Sequence, residues 1–287
     1  MKISTEIDSL SKLVGEEKAV EYVAKAGFTA WDFSLYSICK YNRQTNTASK
    51  TDHPLSSGDY LDFARKLKEI GLNNGIVCNQ SHAPHPTSCS DIRSYLKRSI
   101  ECTAEAGGKI CVIHPDNNKT AAQNAEMFLE LLPFAKEHNV KIATENMWNW
   151  NNEKGHATFA ACSTPESFCD HLNAINDEFF VACLDIGHSE MYGLNTSAVE
   201  MIKALGPKIK ALHIHDNDKH NDLHQIPFSM SIDFDSVISA LKEVGYSGYF
   251  TLESYRYLSK YTAENVFEGV QNLARSAKLF AEKFSKI

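Results

Sequence analysis

Apolar runs of strand length alternate with segments of helical periodicity along the whole chain. We predict eight strands, at residues 2–7, 28–34, 73–82, 109–114, 140–146, 179–185, 209–215 and 248–254. Amphipathic segments lie between them, and the clearest helices are predicted up to Ala26, over Gly58–Ile70 and Ser90–Ala106, and from Thr262 to about Phe284. Glycine or asparagine follows several of these segments, as in KAGF, EAGGK and KEHNV, which indicates helix ends.

Eight strands, each followed by a helix, predict an α/β fold of one particular kind. A chain of 287 residues suits a single (β/α)8 TIM barrel, and we expect residues 1–287 to form one domain. Both faces of a parallel barrel strand are covered, which explains why these runs are so uniformly apolar. Residues 35–57 and 147–164 are longer than ordinary connections and follow strand C-termini, where long loops usually form lids or substrate walls.

Six successive strands end in side chains that are costly to bury unless they are paired or bind a cation. These side chains are His82, His114, Glu145, Asp185 with His188 just beyond, His213 and His215, and Glu253, and Asp222 and His224 follow strand seven. Because all these strand ends meet at one rim of the barrel, we predict a divalent-metal site there. Nitrogen and oxygen ligands together favour Mn²⁺, Zn²⁺, Co²⁺ or Fe²⁺ over Ca²⁺.

Each histidine also has a structural interpretation. His82 alone is typical of a loop histidine, and His114 of a strand-end cap. In ALHIHDN we expect one histidine to face the barrel interior and the other to be a structural histidine facing the helices. No functional role is assigned to His53, His85, His138, His156, His171 and His220.

The amino-acid composition and net charge limit the binding partners and the cellular location that we expect. The fractions of hydrophobic residues, 43%, and charged residues, 23%, are ordinary for a soluble protein, and a net charge of −7 gives no general attraction to nucleic acid. The N-terminal residues have no signal-peptide core, and no stretch reaches the length of a membrane span. The eight cysteines show no CxxC spacing and several lie in apolar strands, so we expect free thiols, a cytoplasmic location and neither nucleic acid nor membrane as partner. A homo-oligomer is left open.

The segments CLDIGH, ALHIHDND and LKEVGYSGYFTLE resemble the sugar phosphate isomerase/epimerase superfamily of xylose-isomerase-like barrels, over essentially the whole chain. The resemblance to its ketose 3-epimerases implies one divalent cation bound by Glu145, Asp185, His213 and Glu253, with the two glutamates as the acid–base pair and His188 holding substrate. Endonuclease IV is in the same superfamily, and its additional zinc ligands match His82, His114, His188, Asp222 and His224, so more than one metal ion is left open. The turn PFSMSIDF replaces the usual glycine-rich turn and puts the substrate loop near Met230 in doubt.

We therefore predict a metal-dependent isomerase or epimerase of a sugar or sugar phosphate, working through an enediolate. His188 and His82 would orient hydroxyl groups, and Trp148 and Trp150 would stack on the sugar. Lys219 is assigned either to a contact with a substrate oxygen or phosphate or to the solvated surface. Trp31 is assigned either to this wall or to the core. The alternatives are a multinuclear zinc phosphodiesterase of the endonuclease IV type, although no basic DNA-wedging loop is visible, and a lyase or dehydratase acting on a keto-sugar or keto-inositol.

Overall fold

The computed structural model describes residues 2–89 and 91–287. Eight barrel strands, β1 to β8 in chain order, alternate with helices in this part of the chain: Ile3–Thr5, Ala30–Ser34, Val77–His82, Ile110–Val112, Lys141–Glu145, Phe180–Asp185, Ile209–His213 and Phe250–Leu252. Strands β2 to β7 form one parallel sheet in sequential order, and β1 pairs in parallel with β8. Parallel bridges from Glu6 to Asp32 and from Ile214 to Leu252 join the two sheets into a ring. The predicted TIM barrel is confirmed, and that the chain is one domain stays a prediction.

The described residues contain eleven α-helices, α1 to α11: Asp8–Val14, Glu16–Ala26, Tyr60–Asn73, Ile92–Glu105, Ala121–Glu137, Pro165–Ile175, Ile186–Ser189, Ala198–Leu205, Phe234–Glu243, Tyr255–Leu258 and Val266–Lys286. Helix α5 begins with a capping box, in which Thr120 and Gln123 satisfy each other's backbone N–H groups. The predicted start of α4 at Ser90 lies outside the described residues. The last helix runs a few residues later than predicted.

Two short antiparallel hairpins occupy the long connections. The first pairs Lys40–Asn42 with Thr47–Ser49 after β2, and the second pairs Asn149–Asn151 with His156–Thr158 after β5. Both follow the C-terminal ends of barrel strands and therefore stand on the rim where the strand-end side chains meet. Sequence analysis identified these connections as unusually long but predicted no strands in them.

The core has two layers because strand residues alternate between the two faces of the barrel wall. The outward-facing residues pack against the helices in one large hydrophobic cluster, which includes the fully buried Trp31 beside Phe33. Of the two interpretations of Trp31, the core position is therefore correct. The inward-facing layer is small and apolar: Val112, Ala143, Val181, Cys183 and Ala211. All eight cysteines are free thiols, and none of the described helices is long and apolar enough to cross a membrane.

Candidate metal centre and active-site cavity

The ionisable side chains at the rim belong to the inward-facing rows of strand residues. Asp185 lies two residues beyond Cys183, and Glu145 lies two residues beyond Ala143, so the carboxyl groups stand directly above the small apolar layer. Asp185 and Glu145 are 0% and 1% exposed. Ionisable groups this deeply buried need a partner of opposite charge, and the barrel brings several together.

A central group contains the four side chains that the resemblance implies as metal ligands: Glu145, Asp185, His213 and Glu253. One ligand atom from each lies within 4.8 Å of the others. The Nδ1 atom of His213 is 3.1 Å from Oε1 of Glu145 and 3.8 Å from Oε2 of Glu253. These four strands, β5 to β8, are consecutive around the ring, which is why residues far apart in sequence converge.

A second group, His188, His215, Asp222 and His224, adjoins the central one. Asp222 is its centre: Oδ2 is 3.1 Å from Nε2 of His224 and 3.4 Å from Nε2 of His188. Nε2 of His215 is 3.6 Å from Oδ1 of Asp222 and 3.1 Å from Oδ1 of Asp185, and so links the two groups.

The expectation that one histidine of ALHIHDN faces the helices is wrong. His213 and His215 are both fully buried and both belong to the candidate ligand groups. Residues two apart in an extended segment point to the same face, so the period of the strand itself required this result. His215 is among the strand-end side chains predicted at the rim, but it was left out of the ligand sets because the alternation was applied to residues that are not adjacent.

A third group consists of His82, His114 and Glu145. Oε2 of Glu145 lies 3.4 Å from Nε2 of His82 and 3.2 Å from Nε2 of His114, whereas Oε1 faces His213. The carboxylate of Glu145 therefore stands between the central and the third groups. Every residue predicted as a principal or additional metal ligand falls in one of the three groups.

Backbone contacts orient several of these histidines. The Nδ1 atoms of His82, His188 and His224 lie 2.9, 2.9 and 2.8 Å from the carbonyl oxygens of Ala83, Asn146 and Glu253. An Nδ1–H donor to a carbonyl fixes the tautomer and leaves Nε2 with a free lone pair, which is how metal-binding histidines are commonly held. In each of the three, Nε2 is the atom that faces the carboxylates.

The groups fit divalent cations because their buried polar atoms lack other partners. Among the described residues, hydrogen-bond partners are missing for Oε2 of Glu145, Oδ2 of Asp185, Oδ1 of Asp222, Nε2 of His114 and both ring nitrogens of His213 and His215. A buried polar atom without a partner is costly, and several of them converging on common centres is typical of ligands around an ion. Cys183 lies beside Glu145 and His213, but burial raises the pKa of its thiol to about 12. The remaining imidazole and carboxylate donors favour a borderline or hard cation such as Zn²⁺, Mn²⁺, Co²⁺ or Fe²⁺.

The two glutamates of the central group differ in acidity. Burial opposes ionisation of Glu145, but His213 and His114 outweigh it and hold the pKa of Glu145 well below its usual value. Burial raises the pKa of Glu253 well above its usual value, and the charge of Glu145 adds to this effect. The protein groups alone thus favour ionisation of Glu145 over ionisation of Glu253, and a bound cation would favour the ionised form of both.

A cavity of about 420 Å³ opens onto all three groups. Its wall includes Trp148, as predicted, and also Tyr36, His85 and Tyr255, to which sequence analysis gave no role. The His85 ring stacks on that of His114 with centroids 4.9 Å apart. A signal for His85 was present, since HAPHP places a second histidine in the loop that follows β3.

The two remaining predicted substrate contacts lie farther out. Trp150 is 39% exposed on the second hairpin, edge-on to Trp148 at 6.4 Å. Lys219 is outside the described lining of this cavity, and its Nζ pairs with Oε2 of Glu190 at 2.9 Å. The turn near Met230 is outside the described lining of this cavity and is bound to Asp216, whose Oδ2 accepts the N–H groups of Ser229 and Met230.

Two curated relatives are similar over most of their length. An uncharacterized protein, MJ1311, of Methanocaldococcus jannaschii is 27% identical over 289 aligned residues, covering 88% of this chain and 89% of the relative. Inosose isomerase of Bacillus velezensis is 29% identical over 220 residues, covering 71% of this chain and 73% of the relative.

Solved structures share the fold at lower identity. A D-tagatose 3-epimerase-like protein superimposes with a TM-score of 0.70 at 20% identity, covering 99% of each chain. The IOLI protein, whose structure contains a zinc atom, gives a TM-score of 0.68 at 20% identity, covering 100% of this chain and 99% of that one. The family description "xylose isomerase-like TIM barrel" matches residues 20–281, and the chain belongs to that family.

Proposed function

We propose that this protein is a metal-dependent isomerase or epimerase of a sugar or sugar-like polyol, with Glu145 and Glu253 as the proton-transfer pair. The observation that supports it most is the convergence of two buried glutamates, an aspartate and a histidine at one end of a cavity large enough for a monosaccharide. The similarity to inosose isomerase and to the 3-epimerase fold agrees with this chemistry.

The roles follow from the surroundings of each side chain. A divalent ion bound by Glu145, Asp185, His213 and Glu253 would supply Lewis acidity toward the carbonyl of the substrate. Glu145, held ionised by its histidine neighbours, accepts the proton from the carbon next to that carbonyl. Glu253 returns a proton, taken up from solvent or from a substrate hydroxyl, to the opposite face or to the adjacent carbon, and the proton on Glu145 exchanges with solvent before the next turnover. His188 and His82 accept hydrogen bonds from substrate hydroxyls through Nε2, and Trp148 covers the apolar face of the sugar.

Replacing either glutamate by glutamine tests this assignment. Glu145→Gln and Glu253→Gln keep the shape of the side chain but remove the base, so each is expected to lower kcat by about 10²–10⁴-fold on the substrate. To identify the reaction, free ketoses and inososes are incubated with the protein in D₂O, and NMR detects exchange of the substrate proton next to the carbonyl. Glu137→Gln, on the exposed face of α5, removes the same charge and is the matched control. Near-normal turnover by either active-site variant would refute the two-glutamate pair.

A second candidate is hydrolysis of a phosphodiester by a multinuclear site. The specific observation that favours it is the pair of additional groups, His82–His114–Glu145 and His188–His215–Asp222–His224, which contain more ligands than one ion needs. Several ions together would supply a hydroxide and stabilise a phosphorane-like transition state. Elemental analysis of the purified protein separates the two candidates: one ion per chain supports the isomerase, whereas two or three ions with nicking of abasic DNA support the hydrolase.

A lyase or dehydratase acting on a keto-sugar or keto-inositol begins with the same proton abstraction. The mass of the product distinguishes the two reactions. Dehydration releases water and gives a product about 18 Da lighter than the substrate, whereas isomerisation gives a product of the same mass as the substrate. Mass spectrometry of the turnover mixture makes this distinction directly.

A further inference from the structure

The metal-centre cavity continues into a second lobe at the ends of β1 and β2. The two spaces share Tyr36, His82, His85, Glu253 and Tyr255 as a common wall. Beyond that wall, the second lobe is lined by Glu6, Asp8, Asp32, Lys12 and Ser34. We call this space the acidic lobe. Glu253 stands at the junction, so a substrate whose reacting carbons lie beside Glu253 extends one end into the acidic lobe.

The carboxyl groups of the acidic lobe differ in how far the protein satisfies them. Asp8 is paired with Lys12, whose Nζ is 2.5 Å from Oδ2 and whose side chain is largely exposed. Both oxygens of Glu6 accept hydrogen bonds from Ser9, one from its backbone N–H and one from its hydroxyl. Burial, followed by the charge of Asp8, raises the pKa of Glu6 to about 7.

Asp32 is the carboxylate that the protein leaves incomplete. It is 1% exposed, its Oδ2 accepts a hydrogen bond of 2.8 Å from Nε2 of Gln80, and the same oxygen lies 3.6 Å from Nε2 of His213. Its Oδ1 atom is buried and has no hydrogen-bond partner among the described residues. A buried carboxylate oxygen in this state requires a donor, and the adjoining cavity is where a ligand can bring one.

We propose that the acidic lobe binds the donor-bearing end of the substrate, a hydroxyl or an ammonium group, through Oδ1 of Asp32, and that it excludes a phosphate or carboxylate at that end. This inference rests on the proposed function, and it makes Asp32 and Asp8 determinants of substrate class. Four carboxyl groups line this space: those of Glu6, Asp8, Asp32 and Glu253. Lys12, which also lines it, and Asp8 neutralise each other, and the remaining carboxyl groups leave the lobe with a net negative charge. An anionic end group would meet like charges in a poorly solvated space, whereas an ammonium group would meet opposite ones.

Binding of three matched acyclic polyols tests the proposal without requiring turnover. The probes are D-glucitol, its 1-amino analogue glucamine and D-glucitol 1-phosphate, titrated by calorimetry into the zinc-loaded protein. We expect glucamine to bind at least as tightly as D-glucitol and the phosphate to bind at least about tenfold more weakly. Asp32→Asn should remove the advantage of glucamine. Asp8→Asn frees the Lys12 ammonium and should narrow the discrimination against the phosphate about tenfold.

Glu137→Gln, which loses one surface charge, is the control and should keep the order of the wild type. Circular dichroism identifies any variant that has not folded, and Asp8→Asn changes a partly exposed pair, so it keeps the test available if Asp32→Asn fails to fold. Equal or tighter binding of the phosphate by the wild type overturns the inference, as does binding of none of the probes. If the protein turns over a ketose but the binding order of the three probes is reversed, the acidic-lobe inference is wrong and the proposed reaction stands. If the probes bind in the expected order but no ketose is turned over, only the proposed reaction is wrong.

Discussion

Gly187 is the residue whose replacement tests the second ligand group most directly. It lies in α7, two residues after Asp185, and a β-carbon added there would lie 1.9 Å from Cε1 and 2.4 Å from Nε2 of His215. Carbon atoms pack at about 3.5–4.0 Å, so the imidazole ring must move by about 1.5 Å or more in Gly187→Ala. The ring cannot move freely, because it stacks on His224 with centroids 3.7 Å apart.

The cost of this displacement can be estimated from the same contacts. Overpacking a buried site costs about 1–3 kcal/mol, which for a chain of this size lowers the Tm by roughly 2–5 °C. Moving Nε2 of His215 away from Asp185, now 3.1 Å distant, also removes one nitrogen from the second group. If that nitrogen is a ligand, zinc affinity should fall by at least about 10–100-fold.

Differential scanning calorimetry and competition with a chromophoric zinc chelator measure the two effects separately. Gly58→Ala is the matched control, because a β-carbon at Gly58 meets no atom within 4 Å. Destabilisation with unchanged zinc binding would make His215 a structural residue. A Gly187→Ala protein that melts within about 1 °C of the wild type would refute the steric reasoning itself.

Three further predictions concern the whole protein. Chelation with EDTA should lower the Tm, and Zn²⁺ or Mn²⁺ should restore it, because an ion at 1,000 times its Kd adds about 4 kcal/mol of stability; an unchanged Tm contradicts metal binding. Asn146→Ala should lower the free energy of unfolding measured in urea by about 2–3 kcal/mol, because the Asn146 side chain hydrogen-bonds the N–H and the C=O of Asp185 and the hydroxyl of Ser189. A decrease below about 0.5 kcal/mol would show that other hydrogen bonds replace these. The pKa of Glu6 is raised from 4.5 to about 7 in the folded protein, so the stability of the wild type should fall as pH rises through this window, by up to about 3 kcal/mol. Glu6→Gln should therefore gain stability relative to the wild type between pH 5 and pH 8, and parallel profiles would contradict the raised pKa.

The barrel could be predicted because its signal is repeated eight times. Most of the strands are predominantly apolar and are followed by an amphipathic helix, so errors of a few residues, such as the later start of the last helix at Val266, do not change the topology. The convergence at the rim follows from the same topology. Once the strands are parallel and closed into a ring, the last residues of β3 to β8 must meet.

The features that sequence analysis missed depend on three-dimensional proximity. The two hairpins consist of three-residue polar strands, such as Asn149–Asn151, which carry no hydrophobic period. Asp32 lies inside the apolar run AWDFS, and only the closed barrel shows that it faces the cavity. Lys219 was predicted as a substrate contact from its place after β7, but a turn with φ of 65° directs this segment toward Glu190.

The position of Glu145 between two ligand groups makes their occupancies interdependent. Its Oε1 atom lies near His213, and its Oε2 atom lies near His82 and His114. An ion captured on one side fixes the rotation of the carboxylate, so the entropy of ordering that side chain is lost only once for both sides. The same ion also draws electron density from the shared carboxylate and weakens its second oxygen as a donor. Metal titration curves of this protein should consequently depart from independent, identical sites, and their shape would report which of these two opposing effects is larger.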